Sequence, residues 1–306
     1  MSRKIKTSYF FQEWKGHPIS DVTALHKEIL ELWPTKPIIY LAGDSSLDNK
    51  YWVPSSNGPY GSPLPVELPE IYRIAFDPPR PKPDVAFWLN HVLGERATAL
   101  NLAIEESTLR ERDDDLLEHD KFIRDNIRAE DILIVSVGAN DIALRPTFAT
   151  VRHMLKLAWL TPRGFLERKS AWGLGYFTNL FKDQIEAYVS RLVEKQKPRA
   201  VIVCMIYFPL EAGVSKQRSW ADLPLKALGY NWFPGQLQAA IRAMYELSTK
   251  RIKIEGTNVV PCPLFEALDG KREEYYVARV EPSTDGGHKM ALQFKELLEE
   301  ILLATK

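Results

Sequence analysis

The sequence predicts an α/β fold built on a doubly wound, mainly parallel sheet, and three observations support this prediction. Five apolar runs of strand length are spread along the 306 residues. Their near-continuous Val, Ile and Leu content is typical of strands that helices cover on both faces. Stretches with apolar residues three and four positions apart separate or follow these runs, as amphipathic helices do. Such alternation favours a doubly wound sheet, which binds ligands at the carboxyl ends of its strands.

The predicted elements follow one another along the chain. The strands are KPIIYLAG (36–43), ATALNLAI (97–104), DILIVSVGA (131–139), RAVIVCMIYF (199–208) and TNVVPCPLF (257–265), and the helices are residues 119–128, 178–196, 235–253 and 288–306. The last helix is predicted to begin at His288, so that Asp285 lies in the loop before it.

Three longer segments interrupt this alternation, each after a predicted strand: residues 51–82, 142–176 and 210–234, all approximate. Loops of this length are usually functional or disordered, and the aromatic content of these three argues against disorder. We expect one domain over residues 1–306, with the insertions as a cap on the substrate side. Aromatic residues in or near them line a substrate pocket or pack the loops down: Trp52, Tyr60, Trp88, Trp159, Trp172, Tyr176, Trp220, Trp232 and Phe233.

The composition limits which classes of binding partner we expect. Forty basic and forty acidic residues give a formal net charge of zero, which offers no general attraction to nucleic acid or an anionic membrane. The two cysteines, Cys204 and Cys262, are expected to be free thiols. The N-terminus lacks the apolar region of a signal peptide, and no apolar run is long enough to span a membrane, so a cytoplasmic protein is expected. The oligomeric state is left open.

A serine lies at the end of the first predicted strand, in Gly43-Asp44-Ser45-Ser46-Leu47. A turn or helix after such a strand directs backbone N–H groups at the serine, and these groups stabilise an oxyanion. The same residues also form good turns and helix caps. Taken alone, this motif favours the structural interpretation.

Two further blocks make the pattern specific. The third predicted strand ends in Gly138-Ala139-Asn140-Asp141, and Asp285-Gly286-Gly287-His288 lies near the C-terminus. In this order, the three blocks resemble the GDSL-type SGNH hydrolase family over the sheet core of almost the whole chain. The resemblance implies a flavodoxin-like three-layer fold and an esterase, lipase or deacetylase that needs no cofactor and no metal, with a small-molecule ester as substrate.

The resemblance also implies roles for individual residues. Ser45 is the nucleophile, His288 is its general base and Asp285 orients the imidazole, because a serine hydroxyl needs such a base to become nucleophilic. The Asn140 side chain and the Ser45 backbone N–H donate to the oxyanion. Supporting positions are Gly43, Asp44, Gly138 and Asp141, with Asp44 expected to anchor the turn.

One position departs from the family pattern. Glu106 stands where the family places a glycine that donates its N–H to the oxyanion. We expect Glu106 to contribute only its backbone, with its carboxylate turned away or paired with a cation such as an arginine. Ser46 is an alternative nucleophile that the resemblance does not favour. The charged residues from Arg110 to Asp115 are predicted to form a solvated surface.

Two other functions stay open at this point. A weakly active or non-catalytic ligand-binding protein on the same scaffold is favoured by Glu106 and the long insertions. An acyltransferase would use the same residues as a hydrolase. The acyl chain and the alcohol of the substrate do not follow from the sequence.

Overall fold

A computed structural model describes residues 4–55, 63–144, 153, 164 and 174–304. Most of the second predicted insertion and residues 56–62 of the first lie outside the described residues. Tyr60, Trp159 and Trp172, which sequence patterns place near a substrate pocket, are among them.

The core of the protein is a five-stranded parallel sheet. Its strands are β1 (Ile38–Gly43), β2 (Thr98–Asn101), β3 (Ile132–Ser136), β4 (Ala200–Met205) and β5 (Val259–Pro263). They pair in the order β2-β1-β3-β4-β5, all parallel. This is the flavodoxin-like order, so the predicted fold class and all five predicted strands are confirmed.

Helices of four residues or more flank the sheet on both faces. We number the six longest α1 (Ile19–Leu32), α2 (Val85–Leu93), α3 (Glu118–Asn126), α4 (Ile185–Leu192), α5 (Pro234–Leu247) and α6 (Thr284–Leu303). Shorter α-helices cover Thr7–Phe10, Glu70–Ala75, Ala139–Ala143, Leu174–Thr178, Asp222–Ala227 and Leu264–Ala267, and a π-helix covers Asn179–Gln184. Single 3₁₀ turns lie at Asn49–Tyr51, Gly94–Arg96, Arg110–Arg112, Thr249–Arg251 and Glu273–Tyr275.

Two small strand pairs lie outside the main sheet. Ile5–Lys6 pairs with Phe76–Asp77 in parallel, and Tyr276–Val277 pairs with Glu281–Pro282 as an antiparallel hairpin. Ala278 and Arg279 in the hairpin turn both have positive φ angles, of 48° and 66°. This hairpin immediately precedes α6 and brings residue 281 to the carboxyl edge of the sheet.

The interior is apolar because every residue of β1, β3 and β4 is buried. In α6, buried residues recur at Gly287, Met290, Ala291, Phe294 and Leu298, which is the helical spacing of one apolar face. Cys204 and Cys262 are buried free thiols at paired positions of β4 and β5. None of the described helices combines the length and apolar character needed to cross a membrane.

The last helix begins earlier than the sequence predicts. Ser283 caps its N-terminus by accepting a hydrogen bond from the Gly286 N–H at 3.1 Å, and Thr284 is its first residue. Serine is among the preferred N-cap residues, and the cap holds Gly286 and Gly287 in helical conformation. Asp285 and His288 therefore lie within α6, which corrects the expected loop.

The predicted solvated surface at residues 110–115 is wrong for Arg112. This guanidinium is buried and forms an ion pair with Asp120, with a distance of 2.8 Å from Nε to Oδ2. It also donates to the backbone carbonyls of Thr108 at 2.8 Å and Gly43 at 3.2 Å. A charge run in sequence does not show which of its members finds a buried partner, and here Arg112 supports the end of β1.

Candidate active site

The turn after β1 has a backbone that only glycine can begin. Gly43 has a φ of 137°, and a Cβ at this position would lie 1.7 Å from the Ser136 carbonyl oxygen. The Asp44 N–H donates to that same oxygen at 3.0 Å. The close approach of β1 and β3 thus places Ser45 at the carboxyl edge of the sheet.

The two neighbouring serines have different surroundings. Ser46 Oγ lies 2.7 Å from both Asp44 Oδ1 and Ser136 Oγ, so its hydroxyl is held in the turn. The Ser46 N–H also donates to Asp44 Oδ1, which is the anchoring role expected of Asp44. Burial raises the pKa of Asp44 to about 6, and hydrogen bonding from Ser46 opposes the rise. Of the two serines, Ser45 is the one whose hydroxyl is not engaged by this anchor.

Asn140 reaches the same place from the end of β3. Gly138, with a φ of 106°, precedes the short helix Ala139–Ala143 that carries it. The Asn140 Nδ2 donates to the Ser107 carbonyl oxygen at 3.1 Å, which uses one of its two amide hydrogens. Asp141 Oδ2 accepts from the Leu109 N–H at 2.8 Å and so fixes the loop after β2.

That loop carries the unusual Glu106. Ser107 ties the loop to β1, because its hydroxyl donates to the Gly43 carbonyl oxygen at 2.9 Å. Glu106 has a φ of 58°, in the left-handed region that glycine adopts most easily. Its carboxylate lies 3.3 Å from the Lys15 Nζ. The expected cation is therefore present, as a lysine instead of an arginine.

A cavity of about 150 Å³ lies at this edge of the sheet. Ser45 and Asn140 are both buried in its wall, and most of the remaining wall is apolar. The third predicted insertion contributes Trp220, Ala221, Pro224, Leu225 and Leu228, and the other apolar side chains include Phe177, Phe181, Met205, Ile241 and Met244. The pocket therefore combines a small polar end with an apolar body.

Other aromatic residues in or near the insertions lie outside the cavity wall. Trp232 and Phe233 are largely exposed to solvent. Trp88 is buried in α2, where it packs on Phe87 and His288. Trp52 donates its indole N–H to Glu105 Oε1 at 3.0 Å. Both roles that the sequence allows for these rings, lining a pocket and packing loops, occur in the structure.

Sequence reasoning missed the acidic group that the structure brings to Ser45. Glu281 lines the same cavity as Ser45 and is only 3% exposed. Burial raises the pKa of Glu281 to about 7, and side-chain hydrogen bonding from Ser45 and from Trp220 partly offsets this rise. Its Oε2 has no hydrogen-bond partner among the described residues. Nothing in the local sequence around Glu281 predicts that this carboxyl group is buried.

The predicted base and its orienting acid both lie in the first turns of α6. His288 stacks on Trp88, with ring centroids 4.0 Å apart, and neither His288 nor Asp285 lines the cavity that holds Ser45. Asp285 is exposed at the first turn of α6. Burial and the neighbouring His91 lower the pKa of His288 below its usual value. The charge of Asp285 opposes this lowering, and the grouping of Ser45, Asp285 and His288 stays a prediction.

A second buried acid lies beside Glu281. The pKa of Glu105 is raised to about 9, chiefly by burial and then by the charge of Glu281. The Glu105 carboxyl group accepts from Trp52, while its Oε2 has no partner among the described residues. The two carboxyl groups interact, so the protons leave the pair in two steps that belong to both residues.

Fold and pocket together define an α/β protein with a buried serine at the carboxyl edge of a parallel sheet. No protein-family model matches the chain, and no curated protein matches it. Among solved structures, the chain is similar to an extracellular lipase from Streptomyces rimosus, with 10% identity, a TM-score of 0.46 and coverage of 86% of this chain and 99% of that one.

Two further solved structures are similar at the same level. A carbohydrate acetylesterase from Sinorhizobium meliloti has 10% identity and a TM-score of 0.45, with 87% of this chain and 100% of that chain covered. An inhibitor-bound aryl esterase from M. smegmatis has 12% identity and a TM-score of 0.44, with 87% and 99% covered.

Proposed function

We propose that this chain is a serine hydrolase that cleaves a carboxylic ester through an acyl-enzyme on Ser45. The observation that carries the proposal is the convergence of Ser45 from β1 and Asn140 from β3 on one buried cavity. The sequence blocks around these two residues also resemble the SGNH hydrolases. A nucleophile beside an amide donor is the arrangement that acyl transfer needs.

Three donors are available for the oxyanion. The backbone N–H groups of Ser45 and Glu106 donate to none of the described residues. The Asn140 amide keeps a second hydrogen after its bond to Ser107. One such donor is typically worth about 3–4 kcal/mol of the barrier. Ser107, which contacts both Asn140 and Gly43, holds these donors near one another.

The cavity supports a short apolar acyl group. Its volume of about 150 Å³ resembles that of an apolar cavity able to hold a ligand of benzene size. The nearby carboxyl groups of Asp44, Glu105 and Glu281 disfavour an anionic substrate. We therefore expect neutral esters of short acyl chains such as butyrate to be preferred over acetate and over long chains.

The ester test compares two serine variants. Purified protein is assayed on p-nitrophenyl esters from acetate to dodecanoate, together with Ser45→Ala and the matched control Ser46→Ala. We expect Ser45→Ala to lose at least 10³-fold in kcat/KM, as removal of a catalytic nucleophile does, while it stays folded by circular dichroism. If Ser45→Ala keeps its activity and Ser46→Ala loses it, the nucleophile is Ser46 and the proposal for Ser45 is wrong.

A second candidate is a ligand-binding protein without catalysis. It is favoured by the acidic groups near the pocket, since the charge of Glu281 raises the pKa of Glu105, and the charges of Asp44 and Glu106 raise the pKa of Glu281. A fluorophosphonate probe separates the two candidates, because labelling requires an activated serine. Labelling of the parent protein but not of Ser45→Ala supports the hydrolase, and no labelling supports the binding protein. An acyltransferase would label equally and would acylate an added alcohol faster than water.

A further inference from the structure

We propose that Asp48 is a positioning residue for the oxyanion site, because it fixes the loop after β2 against the turn that carries Ser45. This inference rests on the proposed function. Asp48 Oδ2 accepts from the Glu105 N–H at 2.9 Å. The Asp48 N–H donates to the Asp44 carbonyl oxygen at 3.0 Å. Asp48 thus joins the nucleophile turn to the residue directly before the proposed donor Glu106.

Glu105 and Glu106 form the centre of a tight turn. The Ser107 N–H donates to the Ile104 carbonyl oxygen at 3.1 Å. Of the two central residues only Glu106 has a positive φ, of 58°, which is the pattern of a type II turn. The Glu106 N–H belongs to the central peptide unit of this turn. Its direction therefore depends on how the turn is held against the rest of the site.

The two ends of the turn are tied to β1. The Ile104 N–H and the Ser107 hydroxyl both donate to the Gly43 carbonyl oxygen at 2.9 Å. Between these ends, Asp48 is the described residue that hydrogen-bonds to the backbone, at the Glu105 N–H. Without Asp48, the centre of the turn would be held through its end contacts and through the Glu105 side chain.

A buried lysine balances the charge of Asp48. The Lys50 Nζ lies 2.7 Å and 2.9 Å from the two carboxylate oxygens of Asp48, and both residues are 0% exposed. A buried charge needs such a partner. Lys82 donates in turn to the Lys50 carbonyl oxygen at 2.6 Å. Because the ammonium and the backbone N–H groups share one carboxylate, that carboxylate has little freedom to move.

The N-terminal segment, residues 4–18, completes this cluster from outside the main sheet. Its Gly16 N–H donates to Asp48 Oδ2 at 2.8 Å. The neighbouring Lys15 is the cation that pairs with Glu106 at 3.3 Å. The segment therefore contacts the oxyanion loop through Lys15 and supports its anchor through Gly16.

The position of Asp48 separates its effect on the transition state from substrate binding. Oxyanion donors act because they are in place before the negative charge forms, and a displacement of about 1 Å can cost about 10²-fold in rate. The proposed donors at Ser45 and Glu106 come from different loops, which Asp48 joins. Asp48 does not line the cavity that receives the acyl chain. Loss of its hydrogen bonds should therefore lower kcat more than it changes KM.

The test compares two double variants of the full chain on p-nitrophenyl butyrate. Asp48→Asn/Lys50→Met removes both buried charges and keeps an oxygen acceptor for the Glu105 N–H, whereas Asp48→Leu/Lys50→Met removes the acceptor as well. We expect kcat to stay within about fivefold of the parent in the first and to fall by about 10–100-fold in the second, with KM changed by less than about threefold in both.

A transition-state analogue gives a readout that a general loss of stability does not move. Butyl trifluoromethyl ketone forms a tetrahedral oxyanion on the nucleophilic serine, so its affinity depends on the oxyanion donors. We expect its inhibition constant to weaken in Asp48→Leu/Lys50→Met by about the same factor as kcat. In Asp48→Asn/Lys50→Met the inhibition constant should stay close to that of the parent.

The matched control is Asp131→Leu/Arg128→Met at the opposite, amino edge of the sheet. Asp131 is also buried, accepts from the Ile38 and Arg128 N–H groups at 2.8 Å and pairs with the Arg128 guanidinium at 2.7 Å. It repeats the chemistry of Asp48 away from the loops that carry Ser45 and Glu106. We expect the thermal unfolding midpoint of this control to fall, while kcat measured well below that midpoint stays unchanged.

A variant of Glu105 keeps the test decisive if Asp48→Leu/Lys50→Met does not fold. Glu105→Pro removes the N–H that binds Asp48, and proline fits the second position of a type II turn. Glu105→Ala is its reference, because it loses the same side chain and keeps the N–H. We expect kcat to be at least about tenfold lower in Glu105→Pro than in Glu105→Ala. Equal values would overturn the inference.

Two results would reject the role of Asp48 while the proposed function stands. One is an active parent whose two double variants have the same kcat. The other is a fall of kcat in the Asp131→Leu/Arg128→Met control as large as that in Asp48→Leu/Lys50→Met, which would show a general effect of stability. If the parent hydrolyses no ester and Ser45 takes no fluorophosphonate, the proposed function fails and this inference fails with it.

Discussion

At the scale of single residues, Glu106 places an acidic side chain at the position of a proposed oxyanion donor. Its φ of 58° would cost a side chain other than glycine about 1–2 kcal/mol. The Lys15 ammonium offsets its charge, although both partners are partly exposed, so this ion pair contributes little to stability. The Glu106 N–H donates to no acceptor among the described residues and is available to a substrate.

The Glu106→Gly variant follows from this description. We expect turnover of p-nitrophenyl butyrate to stay equal or to rise, because the N–H remains and the carboxylate is removed. Stability should change by less than about 1 kcal/mol, since relief of the strained φ offsets the greater freedom of glycine in the unfolded chain. Steady-state kinetics beside the parent protein is the measurement. A fall of a hundredfold or more would give the Glu106 side chain a chemical role and would rule out the oxyanion site described above.

At the scale of elements, the close approach of the parallel neighbours β1 and β3 at Gly43 is the feature on which the site depends most. Gly43→Ala would force a methyl group against the Ser136 carbonyl oxygen, only 1.7 Å away, and would also strain a φ of 137°. We expect a loss of stability of about 3 kcal/mol or more, together with loss of activity. Gly94→Ala is the matched control, because Gly94 has a φ of 55° and open space around its Cβ position. Similar unfolding midpoints for both variants would show that close approach at Gly43 does not matter.

The start of α6 gives a second prediction at this scale. Ser283→Ala removes the side-chain acceptor of the Gly286 N–H and should cost about 1 kcal/mol in urea unfolding. Ser190→Ala, at an exposed position of α4, serves as the comparison. Stability unchanged in Ser283→Ala would mean that the cap does not determine where α6 begins.

Elements also show what the sequence can and cannot predict. The five strands follow from apolar runs, because burial on both faces leaves a direct trace in composition. The start of α6 does not follow from the sequence in this way. The two glycines after Asp285 are typical of a loop, and only the structure shows that Ser283 caps the helix before them. The positions of Ser45 and Asn140 at strand ends were predictable. Glu281 was not, because only tertiary packing shows that a carboxyl group is buried beside Ser45.

At the scale of the whole molecule, buried carboxyl groups couple stability to pH. The pKa values of Glu105, Glu281 and Asp84 are raised to about 9, 7 and 7, in each case chiefly by burial. Between the ordinary carboxyl pKa near 4 and these values, the folded protein binds more protons than the unfolded chain. These groups therefore contribute to folding stability at low pH, and this contribution is lost as the pH rises through their pKa values in the folded protein. Buried histidines act in the opposite sense, but only below their ordinary pKa near 6.5.

We therefore expect the thermal unfolding midpoint to fall between pH 7 and pH 9. Glu105→Gln, which is uncharged at every pH, should reduce this fall and be more stable than the parent protein at pH 9. The exposed Glu255→Gln should show the slope of the parent. Differential scanning calorimetry across this range provides the comparison, and a midpoint that rises with pH in the parent would contradict the burial of these acids.

The most direct measurement is the detection of the acyl-enzyme itself. The parent protein is mixed with p-nitrophenyl butyrate, quenched in acid within the first turnovers, digested and mapped by mass spectrometry. We expect one butyryl group on the peptide that contains Ser45, located on that residue by fragmentation, with no adduct in Ser45→Ala. Ester hydrolysis without any adduct on Ser45, or with the butyryl group on Ser46, would contradict the assignment of Ser45 as the nucleophile.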